Sequence, residues 1–417
     1  MKKWRRFFAI LLAGVLLSSS VSCQKQVTAE NLMETIETGN ASEVFLDNSF
    51  REKFATVSFS LLKNEYSQSG GNVVISPLGV YYGMAMLANG ASGQNKSELQ
   101  KMLGRHYECS QLNDYMHSFR QNMKNTDLAK LYFENALWYN SEKNAAPNNE
   151  FLAVAKTAFG ASAYREPFGN AAVTNINHWA SNMTDMVEEY VVSDIRTDAP
   201  LCMINTTLLD ADWAAPVSPE NVSDGIFTNA ASKEESVQMM ASYEQIYLGN
   251  DMAEGFIKKY AGENYAFVAI RPKFNTKNAL LTTINYLSNG VNYCNLIENR
   301  KSRVVDVSMP KFSCSYKGGV ASMAQNAGIG TSFSQQYAGL NDIGTCDGKM
   351  YVGDLYISTG LSVTEKGTRK GTGAKAGDSS VATNVIKVSL DRPFVFAVVD
   401  TKSYMPIILG AINSVKD

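Results

Sequence analysis

Few side chains in this 417-residue chain are suited to chemistry, and their spacing argues against most catalytic machinery. The histidines are His106, His117 and His178, and no two stand at the separation of an HExxH or other paired-His metal site. His178, in Asn175-Ile176-Asn177-His178-Trp179, is expected on a helix face rather than at a metal. No GxSxG elbow occurs, which removes the α/β-hydrolase signature. Gly371-Thr372-Gly373 lacks the remaining glycine of a dinucleotide fingerprint, and no GxxxxGK[ST] phosphate loop exists. Glu188-Glu189 is expected on a solvated helix surface, and Met239-Met240 and Trp213 in the core. No catalytic residue, metal site or cofactor motif emerges, so the chain does not read as an enzyme.

The cysteines are Cys23, Cys109, Cys202, Cys294, Cys314 and Cys346. No CxxC pair occurs, and without Cys23 the number is odd. One or two disulfides in an oxidising compartment and free buried thiols both remain open. Cys23 closes an N-terminal stretch with the anatomy of a secretory signal. Met1–Arg6 is basic, Phe7–Leu17 is apolar but short for a bilayer span, and Ser18–Ser22 is small and polar. Ser20-Val21-Ser22-Cys23 resembles a bacterial lipoprotein processing site, although Ser20 stands where leucine is usual. The expectation is a signal over residues 1–22 and a lipidated Cys23, with ordinary cleavage nearby as the alternative. The protein would then be an exported surface or outer-membrane lipoprotein, or secreted, touching membrane only through the anchor. Net charge is 38 − 40 = −2 with no long run of either sign, so no nucleic-acid footprint appears. Hydrophobic residues at 45% suffice for a core.

The elements follow from periodicity. Residues 23–47 are polar and read as a frayed linker ahead of a single domain over 48–417. Phe50, Phe54, Val57, Leu61 and Leu62 recur at helical spacing. Val73-Val74-Ile75 is a short strand, after which Ser76 suits a helix N-cap and Pro77 the first helical position. Residues 97–103, 150–159 and 173–190 read as helices and 131–139 as a strand. Later runs at 201–209, 265–271 and 303–309 read as strands, and Phe394–Val399 with Ile407–Ile412 as a hairpin. Helices gather early and strands late, which points to an α+β domain. Thr364–Ser380 contains no large apolar residue; loops of this length inside a domain are functional or disordered.

Several segments together resemble the serpin family. Asn72–Leu103 is similar to its Asn, apolar strand, Ser-Pro, apolar helix and Gly-Ala-x-Gly signature. Glu134-Asn135-Ala136-Leu137-Trp138, Ile176-Asn177-x-Trp179, Asn205 with Trp213, Val237-Gln238-Met239-Met240 and Pro310-Lys311-Phe312 resemble further family segments in order. So do Glu365-Lys366-Gly367-Thr368, Asp391-Arg392-Pro393-Phe394 and Leu409-Gly410. The resemblance implies a single domain with three β-sheets, eight or nine helices and an exposed reactive-centre loop, here 364–385.

It also implies a monomeric inhibitor of a serine protease or, alternatively, a cysteine protease. The protease cleaves the loop and is trapped as an acyl-enzyme while the loop inserts into the main sheet. Glu365, Gly367, Thr368 and Lys370 would form the hinge. Counting from the hinge puts the scissile bond at Val381–Ala382, and counting back from Pro393 puts it at Ala382–Thr383. A small apolar residue before the bond suits an elastase-like or subtilisin-like pocket. Ser76 and Asn205 would belong to a polar cluster that controls opening of the sheet. Gly79 replaces its second serine and Ile357 stands in place of its histidine. If Thr368 faces the core, strand alternation turns Lys370 inward as well, at an energetic cost. A non-inhibitory surface-binding protein on the same fold is therefore the alternative function.

Overall fold

Ser76 joins the two halves of the molecule. Its side chain accepts from Gly79 N and Pro77 follows at the first helical position, so the Val73–Ile75 strand turns at once into the helix Pro77–Ala88. All twelve residues of that helix are buried, which places it between layers rather than on a surface. The structure is a computed structural model describing residues 24–368 and 385–416. Cys23, Lys370, Val381, Ala382 and Thr383 lie outside the described residues.

Among the described residues there are nine α-helices and three sheets. The main sheet runs Glu30–Asn31, Ala161–Glu166, Ala129–Asn140, Leu201–Asp212, Gly367–Thr368, Val352–Val363, Phe312–Gly319. The second sheet contains Ile386–Ser389, Lys301–Pro310, Glu234–Gly249, Ala253–Lys259, Tyr265–Pro272, Phe394–Asp400, Pro406–Ile412 and Val73–Ile75, with Val222–Thr228 paired to Glu234–Gly249. Gly344–Thr345 and Ala146–Pro147 make the third. Period-2 alternation divides the main sheet's side chains. Met203, Leu209, Ala211, Leu355, Leu361 and Val363 join the large core. Cys202 and Ile204 face the opposite side, where Trp138 packs with Ile176 and Trp179 of the helix Asn170–Met183. The expected C-terminal hairpin is present, Phe394↔Ile412 through Val399↔Pro406.

Three local expectations are corrected. Residues 24–47 are not frayed. Lys25 and Asn182 exchange backbone–side-chain hydrogen bonds of 2.9 and 2.7 Å, Thr28 N donates to Asn175 Oδ1, and Glu30–Asn31 pairs with the edge of the main sheet. Met33, Ile36 and Leu46 are buried, so the polar composition hid an apolar side laid against the domain. The helix expected to reach residue 190 stops at Met183. Thr184 Oγ1 donates to Ala180 O and accepts from Glu188 N, and Asp185 and Met186 take the left-handed conformation, φ 49° and 63°. Glu188 is consequently not on a solvated helix face; it is buried. The five described cysteines are free.

Beside the polar residues of the central strands sits Glu134, whose carboxyl burial pushes up to about 7, with the Arg120 guanidinium pulling the other way. The proton is held more tightly folded than unfolded, so this residue's contribution falls as pH rises from the ordinary carboxyl value through 7. Glu134→Gln is expected to match the parent near pH 4 and to exceed it at pH 8 by about 1–3 kcal/mol. Denaturant unfolding at the two pH values measures the difference.

Candidate functional site

The centre of the main sheet holds two parallel strands that share a partner at one end. Leu201–Asp212 and Val352–Val363 pair directly from Val352↔Leu201 to Gly360↔Leu208. Beyond that point Gly367–Thr368 enters between them, antiparallel to both, with Thr368 opposite Ala211 and Val363. Gly367 passes so close that a Cβ would stand 2.1 Å from Ala211 O, so the position admits glycine alone. The segment read as loop from Thr364 onward is thus a sheet member at Gly367–Thr368.

A buried aromatic pair holds this end. The Tyr260 and Thr368 hydroxyls share a 2.7 Å hydrogen bond, with Thr368 wholly inaccessible and burial keeping the phenol protonated. Tyr260 stacks on Trp213 at 4.4 Å between centroids. Trp213 donates from Nε1 to Thr364 O at 2.8 Å and from its backbone to Lys366 O at 2.9 Å. Lys311 Nζ pairs with Glu365 at 2.8 Å and holds that carboxyl below its usual range. Lys258 lies 5.3 Å above the Trp213 ring, its charge answered by Glu244 at 2.6 Å and by Ala215 O. Glu365, Gly367 and Thr368, the residues expected at a hinge, thus lie at the entry between the two central strands.

Ser76 and Asn205 also meet, through a residue that sequence reasoning did not single out. Ser76 Oγ donates to Thr207 Oγ1 at 2.8 Å, and Thr207 Oγ1 to Asn205 Oδ1 at 2.7 Å. Asn205 Nδ2 continues to Asn135 Oδ1 at 3.0 Å. Ile357 is buried in the core, and the amide of Asn205 occupies the space beside Gly79: a Cβ at Gly79 would stand 2.2 Å from Asn205 Oδ1. Thr207 was legible in principle, since it stands two residues from Asn205 on the same strand face. Asn135 and Lys311 lay inside quoted motifs without a role assigned, and Tyr260 carried no signal at all. Across the contact between the central strands, Thr206 Oγ1 and Thr359 Oγ1 are buried without a hydrogen-bond partner.

Among the described residues the arrangement brings no nucleophile–base pair together; it is a pair of directly bonded parallel strands with a third entering between them at one end. The sixteen residues 369–384, outside those described, join this end to Ile386–Ser389, which pairs parallel to Lys301–Pro310 in the second sheet. No group of three or more His, Cys, Asp or Glu among the described residues is placed to hold a metal. No helix among them is long and apolar enough to cross a membrane.

A family model described as "Serpin (serine protease inhibitor)" matches residues 52–415. An uncharacterized serpin-like protein of Methanosarcina acetivorans is 24% identical over 97% of this chain and 95% of its own. The crystal structure of tengpin, a thermophilic serpin, in its native state superposes with a TM-score of 0.86 at 30% identity, over 93% of this chain and 99% of that one. The latent state of tengpin gives 0.76 at 27% identity, over 89% and 100%. Human thyroxine-binding globulin complexed with thyroxine shares the fold, TM-score 0.76 at 19% identity over 88% and 98%.

The close approach of Asn205 to Gly79 has a direct check. Gly79→Ser places a side chain where Asn205 Oδ1 now sits and forces the Thr207–Asn205–Asn135 chain apart. It is expected to destabilise the protein by about 1–3 kcal/mol. Denaturant unfolding measures the loss, and Gly79→Ser combined with Asn205→Ala is expected to recover part of it.

Proposed function

The chain is a member of the serpin family, and we propose that it acts as a suicide-substrate inhibitor of a serine endopeptidase with an elastase-like or subtilisin-like primary pocket. Serpins are generally inhibitors rather than catalysts, and the chemistry in this reading belongs to the protease. The protease serine oxygen attacks the carbonyl carbon of Val381, or of Ala382 on the alternative count. An ester forms, the peptide C–N bond breaks, and the leaving nitrogen takes a proton to become the amine of the following residue. The freed segment then extends the strand begun at Gly367–Thr368, carrying the acylated protease with it. The observation that carries this reading is Thr368 seated between two parallel strands with antiparallel register to both.

In this reading an inserted strand continues that register, which would put Lys370 between Leu209 and Leu361, both buried and apolar. Thr372 falls between Thr207 and Thr359, whose hydroxyl lacks a partner. About a dozen new ladder bonds at roughly 0.5–1.5 kcal/mol each outweigh one awkward lysine whose stem reaches toward solvent. The price is time: slow passage of Lys370 lets hydrolysis compete with trapping. The second reading, a non-inhibitory binding protein, rests on this same lysine and on thyroxine-binding globulin sharing the fold. The N-terminal features support action outside the cell, at a surface when Cys23 carries lipid.

Incubation with elastase-like and subtilisin-like proteases tests the proposal. A covalent complex that survives denaturing electrophoresis is expected, together with some loop-cleaved product. Lys370→Thr is expected to shift the partition toward complex at least about threefold, a small change in barrier. Clean cleavage with full return of protease activity, and no rise in melting temperature of the cleaved chain, would establish the binding-protein reading instead.

A further inference from the structure

The turn after the helix Asn170–Met183 crosses the sheet at the contact between Leu201–Asp212 and Val352–Val363, and it is tied down on both sides. On one side Asp185 Oδ2 accepts from Tyr132 OH at 3.0 Å and Lys130 Nζ at 3.3 Å, both on the strand Ala129–Asn140. On the other, Glu188 Oε2 accepts from Ser358 Oγ at 2.5 Å and Oε1 from Lys317 Nζ at 2.7 Å. Ser358 belongs to Val352–Val363 and Lys317 to Phe312–Gly319. The four residues Asp185–Glu188 therefore span four strands. Lys130 is level with Asp210 and Ser358 with Thr206, so the crossing lies just beyond Thr368, which is level with Ala211.

We propose that Asp185 and Glu188 strap the main sheet shut over the line along which it must part, and that the Glu188–Lys317 pair governs the rate of parting. An added strand moves the flanking strands apart by one spacing, about 4.8 Å, which hydrogen bonds at both ends of so short a strap cannot follow. One end must release. The Asp185 ion pair is exposed, at 64% for Asp185 and 46% for Lys130, but that end of the turn is also anchored by the helix before it, whose Trp179 packs with Trp138 and Ile204 of the strands on that side. Glu188, 4% exposed and accepting charge-assisted bonds, makes the tie to the strands on the other side, so the end whose release sets the rate is this one. Asp185 and Met186 take the left-handed conformation in the same turn, at a cost for Met186. Asp185 and Glu188 are positioning residues: they touch no protease, and they act through the strands.

The strap itself is independent of the inhibitor reading, although its effect on trapping rests on that reading. Hydrogen exchange of the intact, uncut chain tests it directly, followed in segments 201–209 and 352–361 and in the hairpin 394–412 as internal reference. Glu188→Gln and Lys317→Met are each expected to speed exchange in the first two segments about tenfold, with the hairpin unchanged. The double variant is expected to add nothing further, because both remove one interaction. Unchanged exchange in 201–209 and 352–361, or an equal rise in the hairpin, overturns the proposal. The same variants mixed with protease separate the two claims. Faster exchange with a shifted ratio of complex to cleaved product supports both, whereas faster exchange with cleavage alone keeps the strap and removes the inhibitor reading.

Discussion

The direct pairing of two parallel strands, Leu201–Asp212 and Val352–Val363, is the constraint on which the rest of the molecule depends. Parallel neighbours leave room, in direction and in hydrogen-bonding pattern, for an antiparallel strand between them, and Gly367–Thr368 already occupies the first place. The sheet is therefore complete below that point and divided above it. The features around it hold this unequal state: the Trp213–Tyr260 stack above, the polar chain from Ser76 to Asn135 beneath, and the turn after Met183 across the outer face. The unpartnered hydroxyls of Thr206 and Thr359 show that the closed pairing does not satisfy every buried group along it.

The polar chain beneath the sheet runs where the family resemblance led us to expect a second serine and a histidine. Asn205 Oδ1 occupies the space that a Cβ at Gly79 would need, Thr207 carries the connection to Ser76, and Ile357 joins the core. The chain from Ser76 to Asn135 is made of uncharged groups. It has no member that titrates near neutral pH, unlike one containing histidine.

Much of the architecture was legible because it rests on local signals. Ser76-Pro77 marks a strand-to-helix junction by capping chemistry, and the C-terminal hairpin by two apolar runs about a polar turn. Glu365, Gly367 and Thr368, expected from the motif to form a hinge, lie where a strand enters between the two central ones. What could not be read depends on distant surfaces. Nothing in Thr364–Thr368 announces that its end is buried, because the burying groups, Trp213 and Tyr260, stand just past the ends of strands far away in sequence. Glu188 read as solvated because a helix was extended through it; two left-handed residues end that helix and turn the carboxylate inward. Residues 24–47 read as frayed because their order comes from Asn175, His178 and Asn182 on one helix face and from an open sheet edge. Composition records neither.

The unbridged state of the described cysteines has a mechanical consequence. Cys202 and Cys314 lie in strands on opposite sides of the central contact, and burial raises both thiols, Cys314 to about 12. Little thiolate exists at either position at neutral pH, so oxidants find no ready entry. Cys202 faces the side that carries the helix Asn170–Met183, level with the start of Val352–Val363, whereas Cys314 packs against the large core opposite Leu361, so the two are placed too far apart to be bridged. Among the described residues, then, no covalent bond fixes the two central strands to each other.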